Sequence, residues 1–203
     1  MRIALRFIAV GFFAVLCSVG VVAAQEAAAQ PQASASSAAA AQPAAKPADV
    51  ASPTAILAAA YDAISGPATQ ERDWDRARSL FLPGAHLIQS APDKAGKYTT
   101  TVLSVDDFVA AATPYFKQND FFERGVSTHI DRYGNIIQAF STYESAHVKN
   151  GKPFARGINS FQLLYKDNRW WIVTIFWQEE DKDFPIPAKY APAHKHPGAV
   201  PNH

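Results

Sequence analysis

The chain predicts an α+β domain in which three helices pack on one face of an antiparallel sheet, and three observations predict it. Apolar residues recur at helical spacing in three stretches between Ser52 and Gln118, each opened by a capping residue. From Phe122 onward the chain reads instead as four strands, FERGVSTHI, IIQAFSTYESAHV, FARGINSFQLLY and WWIVTIFWQ. These are separated by DRYGN, KNGK and KDNR, which carry the Gly, Asn and Asp residues that hairpin turns need.

Ahead of that domain, MRIALRFIAVGFFAVLCSVGVVAAQ places Arg2 and Arg6 before an apolar run from Phe7 to Val22, followed by the small residues Ala23 and Ala24. That order is a secretory signal peptide, residues 1–24, expected to be cleaved after Ala24 in an exported protein, periplasmic or secreted. The run is near the short end for spanning a bilayer, so a retained anchor fits less well. Leu16 stands where a lipoprotein has a small residue before its cysteine, here Cys17. Cleavage removes two of the nineteen basic residues, leaving seventeen against eighteen acidic ones, and it removes the one cysteine. The resulting net charge of −1 makes no electrostatic case for nucleic acid or an anionic membrane surface. Disulfides, thiol nucleophiles and thiolate metal sites are excluded from the mature chain. Residues 25–51, almost all Ala, Gln, Pro and Ser, have nothing large to bury and are read as a disordered tether. Residues 52–183 suit one domain, and residues 184–203, proline-rich and without a period, are read as a tail.

In the first helix, SPTAILAAAYDAISG, Ser52 caps, Pro53 suits the first turn, and Ile56, Leu57, Ala60, Tyr61 and Ile64 form one stripe closed by Gly66. In DWDRARSLFLPG, Asp73 caps, Trp74, Ala77, Leu80 and Phe81 share a side, and Pro83 with Gly84 is expected to end the helix. Two short extended pieces follow, His86 to Gln89 and Lys97 to Val102. In SVDDFVAAATPYFKQ, Ser104 precedes Asp107 at capping-box spacing, and Phe108, Ala111, Ala112, Tyr115 and Phe116 point inward.

This order of elements, with DWDRARSLFLPGAHLI near its start and RWWIVTIFWQEE at its end, resembles the nuclear-transport-factor-2-like superfamily and, within it, the SnoaL-like (polyketide-cyclase-like) branch. The resemblance covers Ser52 to Glu180. It implies a cone-shaped domain whose curved sheet wraps a cavity, often dimeric through the outer sheet face. It implies no single activity, since members include isomerases, dehydratases, cyclases, epoxide hydrolases and proteins with no known activity.

Turn geometry assigns the faces of the sheet. A type I′ turn centred on Asn150 and Gly151 sets Thr142 opposite Asn159 and Phe140 opposite Phe161. A tight turn at Asp167 and Asn168 sets Tyr165 against Trp170, Phe161 against Thr174 and Asn159 against Phe176. One face then grades from apolar to polar, as the lining of a cavity does, and supplies the expected ligand-binding residues Phe140, Thr142, Asn159, Phe161, Thr174, Phe176 and Gln178. Glu144 lies on it as well, and His129 joins if Tyr133 and Gly134 centre the preceding turn. The other face carries Trp171, Val173, Ile175 and Trp177 without a gradient and is expected to meet a second copy in a homodimer. The reverse assignment, with the second face under the helices, is the competing reading.

Glu144 and His129 are the candidate catalytic residues, because a carboxylate in an apolar-walled cavity can have its pKa raised into the range useful for proton transfer. Against that stands a strand-end Glu144 in solvent, paired with Arg156 or Arg124. On the helical side Tyr61, Asp62, Asp75, His86 and Tyr115 are expected to cap or pack rather than react. No metal is expected, since His86, His129 and His147 lack ligand spacing and His194, His196 and His203 sit in the tail. No cofactor is expected either, there being no nucleotide fingerprint or phosphate-cradling loop, and no serine elbow occurs. The reading is a domain that binds a small, partly apolar molecule. Its alternatives are an isomerase, dehydratase or cyclase using Glu144 or His129 as a proton shuttle, and a scaffold or subunit docking through the outer sheet face.

Overall fold

The computed structural model describes residues 42–192. Its longest early helix starts where Ser52 and Pro53 place it. After a single turn, α1 (Pro47–Val50), helix α2 (Pro53–Ile64) opens with the Ser52 hydroxyl accepting from Ala55 N at 3.1 Å. Asp73 caps α3 (Trp74–Ser79) by accepting from Arg76 N at 2.9 Å, and Ser104 and Asp107 form the full capping box of α4 (Val105–Phe116). Helix α3 stops at Ser79, short of Pro83, because Phe81 already begins a strand. Pro83 and Gly84 lie where that strand shifts register, and Gly84 takes the positive φ of 83° that the irregularity requires.

Strands β1 (Phe81–Pro92), β2 (Tyr98–Ser104), β3 (Phe122–Tyr133), β4 (Ile136–Ala146), β5 (Ala155–Lys166) and β6 (Arg169–Glu179) form one sheet in the order β2-β1-β6-β5-β4-β3. The two extended pieces of the sequence reading are thus full strands. They extend the meander along its β6 edge, with β1 parallel to β6 and every other pairing antiparallel. Helices cover one face, burying Ile56, Leu80, Ala139, Phe161, Leu163 and Ile172 to within 2 % exposure.

Residues ahead of Ser52 already pack on the domain. The Gln42 amide donates to the carbonyls of Arg78 and Phe81, Asp49 pairs with Arg76 at 2.7 Å, and Val50 is buried in the core. The end of the supposed tether is therefore bound, because the alanine-rich run carries one apolar and one acidic anchor. Residues 1–41 and 193–203, with the signal peptide, Cys17 and His194, His196 and His203, lie outside the described residues.

Two of the three assumed registers are off by one residue, and the third, between β3 and β4, is off by two, which leaves its faces unchanged. The β4–β5 connection is not a two-residue turn. Pairing ends at Ser145 with Ala155, and the longer loop sets Tyr143 opposite Gly157, Ser141 opposite Asn159 and Ala139 opposite Phe161. In β6, Tyr165 does face Trp170, but Val173 is an extra residue between the pairs Leu163 with Ile172 and Gln162 with Thr174. A one-residue slip moves every later side chain to the other face. The helix-covered face accordingly holds Ile137, Ala139, Ser141 and Tyr143 beside Asn159, Phe161 and Leu163, then Trp170, Ile172, Ile175 and Trp177. Phe140, Thr142, Glu144, Thr174, Phe176 and Gln178 are corrected to the outer face. The bulge also accounts for a strand that is apolar on both alternating sets. It resets the alternation so that Trp170 and Trp177 both turn inward, and Trp177 meets Phe108 of α4 with ring centroids 6.4 Å apart. Trp171, Val173, Ile175 and Trp177 do not share one face. Trp171 turns outward, under the Arg169 guanidinium at 3.6 Å, while Ile175 and Trp177 turn inward, so the four do not form a single flat surface.

The outer face carries part of the predicted tail. Tyr98 on β2 donates to Asp181 and packs on Phe184, and the chain then lays a 3-10 turn, Ala188–Tyr190, over β3 and β4. There the Thr142 hydroxyl donates to the Tyr190 carbonyl at 2.6 Å, and the Tyr190 ring lies on Phe140 at 5.2 Å. Thr142 is completely buried beneath it.

Candidate functional site

The candidate site lies where α2 crosses the inner side of β3. Gly125 makes this approach close, since a Cβ there would stand 3.0 Å from Tyr61 Cε2 and 3.0 Å from Ser141 Oγ. Ser65, just past the helix, fastens it to the strand by accepting from Glu123 N at 2.9 Å and donating to the Tyr61 carbonyl at 2.7 Å. Between helix and strand a cleft of about 400 Å³ is lined by Leu57, Ala58 and Tyr61 from α2 and by Glu123, Gly125 and Thr128 from β3. Lys149, Asn150 and Arg124 lie at its rim.

Behind the cleft is a buried polar cluster. Tyr61 donates to Ser141 Oγ at 2.7 Å, and Thr128 Oγ1 is 3.1 Å from the same oxygen. Asn159 Nδ2 donates to the Tyr61 hydroxyl at 3.3 Å and to Glu123 Oε1 at 3.4 Å, and Ser145 donates to Glu123 Oε2 at 2.7 Å. Glu123 therefore receives neutral donors, and among the described residues it makes no ion pair. Burial pushes its carboxyl up to about 7, against the lowering effect of the Ser145 and Asn159 hydrogen bonds. Burial, helped by the nearby Glu123 charge, also raises Tyr61 above its ordinary range, and Tyr143 on the same face is raised for the same two reasons. Tyr143 fits only because β5 has Gly157 opposite it. A Cβ there would stand 2.6 Å from the Tyr143 hydroxyl and would collide with the Gln178 carbonyl. Farther along this face burial raises Glu179, so a second acid resists ionisation near Tyr143.

Of the sequence-predicted binding residues, the structure brings Asn159 and Phe161 here, with the Phe161 ring edge-on to Tyr61 at 6.0 Å. It does not bring the others. Glu144 accepts from Arg124 at 2.7 Å on the outer face with Arg156 at 4.0 Å, the strand-end pairing that competed with catalysis. His129 shares the face of Phe140, although the turn is centred on Gly134 and Asn135 rather than on Tyr133 and Gly134, but that face is the outer one, and the ring is exposed beside Asp131 and Tyr190. Phe140 and Thr142 lie under the tail, and Phe176 is 45 % exposed. Sequence reasoning missed Glu123 and Ser141 and took Tyr61 for packing. The available signal was the pair of strand glycines, Gly125 and Gly157, each marking a place where an aromatic side chain crosses a strand. Among the described residues no group of three His, Cys, Asp or Glu side chains is placed to hold a metal.

Similarity to known proteins is confined to structure. No protein-family model matches the chain, and no sequence among the curated proteins matches it. A Mycobacterium tuberculosis protein of unknown function superposes over 69 % of this chain and 78 % of its own, with 13 % identity and a TM-score of 0.50. The chain has the nuclear-transport-factor-2-like fold. A protein of that fold and of unknown function from Methylobacillus flagellatus matches with 18 % identity and a TM-score of 0.44, over 63 % of this chain and 89 % of its own. A cystatin-like-fold protein of unknown function from Nostoc punctiforme matches with 7 % identity and a TM-score of 0.49, over 64 % of this chain and 89 % of its own. The fold brings no activity with it.

Proposed function

We propose that this nuclear-transport-factor-2-like domain binds a small, partly apolar molecule in the cleft between α2 and β3 and moves a proton to or from it with Glu123. One observation carries the reading: an acid that opens on a cleft is enclosed among hydroxyl and amide donors with no cation to hold its charge. A carboxyl kept for stability alone is matched by a cation or left in water, because burying an unpaired charge is costly. A group poised near neutrality instead serves as acid and base in turn. Leu57 and Ala58 supply the apolar wall. Arg2, Arg6, the run from Phe7 to Val22 and Ala23–Ala24 support export of the chain, which would place this work outside the cytoplasm.

The test pairs a ligand recovered from the purified protein by native mass spectrometry with Glu123→Gln. In the wild type its binding should change with pH around the midpoint of Glu123. In Glu123→Gln it should persist and lose that dependence. An unchanged pH profile in the variant would remove Glu123 from the reading.

A further inference from the structure

The two edges of the sheet are built differently. Strand β3 is guarded by a bulge between Gly125 and Ser127 and by the charges of Arg124, Asp131 and Arg132. Strand β2 has no proline, no charge and no register shift from Tyr98 to Ser104, and Thr99, Thr100, Thr101 and Val102 are all exposed. Asp93 N donates to the Lys97 carbonyl at 2.8 Å, which fixes the alternation along this hairpin. Thr99, Thr101 and Leu103 turn their backbone groups to β1, while Tyr98, Thr100 and Val102 turn theirs to the open edge. Pro92, which has no N–H to give, agrees by standing opposite Tyr98. Ser104 would continue the open series, but its N–H goes to the Asp107 carboxylate at 3.3 Å. Among the described residues no backbone group bonds to the open N–H and C=O groups of Tyr98, Thr100 and Val102.

We propose that this edge pairs with β2 of a second copy of the chain, antiparallel about a twofold axis through Thr100, so that two sheets become one. The open groups select that axis. Tyr98, Thr100 and Val102 are symmetric about Thr100, and only a twofold there gives every one of them a partner. The same axis sorts the side chains. It sets Tyr98 opposite Val102 and Thr99 opposite Thr101, an aromatic with a β-branched residue and a threonine with a threonine, which are pairs that stabilise a sheet. It puts no two like charges face to face, because the strand carries none. It also accounts for two exposed apolar side chains on the outer face. Val102 is 57 % exposed, and Phe184, whose ring lies 5.1 Å from that of Tyr98, is 54 % exposed. Pairing brings Val102 of each copy to Tyr98 of the other, and so beside Phe184, drawing both out of water. The contact is self-complementary and uses up both open edges, and the guarded β3 edges then end the assembly at two copies.

Sedimentation velocity and amide hydrogen exchange of the intact protein over a concentration series test the pairing. The wild type should pass from monomer to dimer, and exchange at Thr100 and Val102 should slow by about tenfold as it does so, because exchange then requires the dimer to open. The amides of Thr99 and Thr101, turned to β1 in either state, should not follow concentration. Thr100→Lys and Thr100→Glu each bring like charges together at the axis and should weaken the dimer by about tenfold, and mixing the two variants in equal amounts should restore it. The side chain is exposed, so each variant should keep the wild-type circular dichroism spectrum. A wild type that stays monomeric at every concentration overturns the proposal, and so does a Thr100→Lys protein that dimerises as the wild type does. Slow exchange at Val102 that is independent of concentration overturns it too, since the cover would then belong to the same chain. Failure of the mixed variants to pair would place any dimer contact away from Thr100, with the same consequence.

Discussion

Glu123 and Glu144 lie one rung apart on the same pair of strands and face opposite surroundings. Glu123 stands across from Ser145 and turns inward beneath α2; Glu144 stands across from Arg124 and turns out. The inner carboxyl has Ser145 and Asn159 as donors, whereas the outer one has Arg124 at 2.7 Å and Arg156 at 4.0 Å. Residue type is the same, so strand parity alone decides which acid is held near neutrality and which has its charge matched. The same split runs through the aromatics. Phe161 is 1 % exposed in the helix-covered core, while Phe140, half-buried, lies under Tyr190 of the tail.

The largest effect should come from that aromatic pair. Phe161→Ala should cost about 3–5 kcal/mol, because the ring is enclosed by core that relaxes only in part. Phe140→Ala should cost about 1 kcal/mol, since what it loses is contact with a surface segment. Urea denaturation of both variants measures the difference. Equal losses would mean that the inner and outer faces are not distinguished as described.

Next comes pH. Glu123 titrates at about 7 in the folded chain and near its ordinary value, about 4.5, when unfolded. Between those values the folded state holds a proton that the unfolded state has released, so stability is fully present below about pH 4.5 and falls as pH rises through about 7. The loss is on the order of 2–3 kcal/mol and levels off above that midpoint. Of the ionisable groups on the same face, Tyr61 and Tyr143 are raised and stay neutral across this window, and Glu179, raised by burial, adds a fall in the same direction. Melting curves at about pH 5 and about pH 8 should separate for the wild type and draw together for Glu123→Gln. A wild type insensitive to pH in that range would show that the acid is not enclosed.

Element identity was legible in the chain because caps are local. Ser52, Asp73 and Ser104 each accept the hydrogen bond that the sequence assigns to them. The site was not legible, because face assignment accumulates every residue between the turn and the position of interest. Asn159, Phe161 and Leu163 on β5 were placed together correctly, as were Trp170 and Ile172 before the bulge. Asn150 and Gly151 look like a two-residue turn, yet only Asn150 takes a positive φ, 59°, and the loop around them runs from His147 to Phe154. That one miscount exchanged Ser141 and Tyr143 for Thr142 and Glu144, and Val173 exchanged Ile175 and Trp177 for Thr174 and Phe176. Nothing in a strand of β-branched and aromatic residues marks which one is the extra residue of a bulge.

A smaller effect tests the cover on the outer face. Thr142→Val keeps the shape of a completely buried side chain and removes its bond to the Tyr190 carbonyl, which should cost about 1 kcal/mol. Proteolysis within Asp181–Tyr190 should quicken while the helix-covered side stays protected. Equal sensitivity of both sides would show that the tail and the core are one cooperative unit.

The smallest effect belongs to the outer acid. Arg124 is 40 % exposed and Glu144 17 %, so their ion pair gains little over solvated charges and is screened by salt. Glu144→Gln should therefore cost less than about 1 kcal/mol at low salt, and the difference from the wild type should shrink as sodium chloride is added. It should leave the pH dependence of stability unchanged, because that dependence comes from the inner acid. The two glutamines thus differ in kind: Glu123→Gln alters the response to pH and not to salt, and Glu144→Gln alters the response to salt and not to pH. A Glu144→Gln protein that loses the fall in stability between about pH 5 and about pH 8 would place the titrating group on the outer face, and the cleft between α2 and β3 would lose the acid on which its chemistry depends.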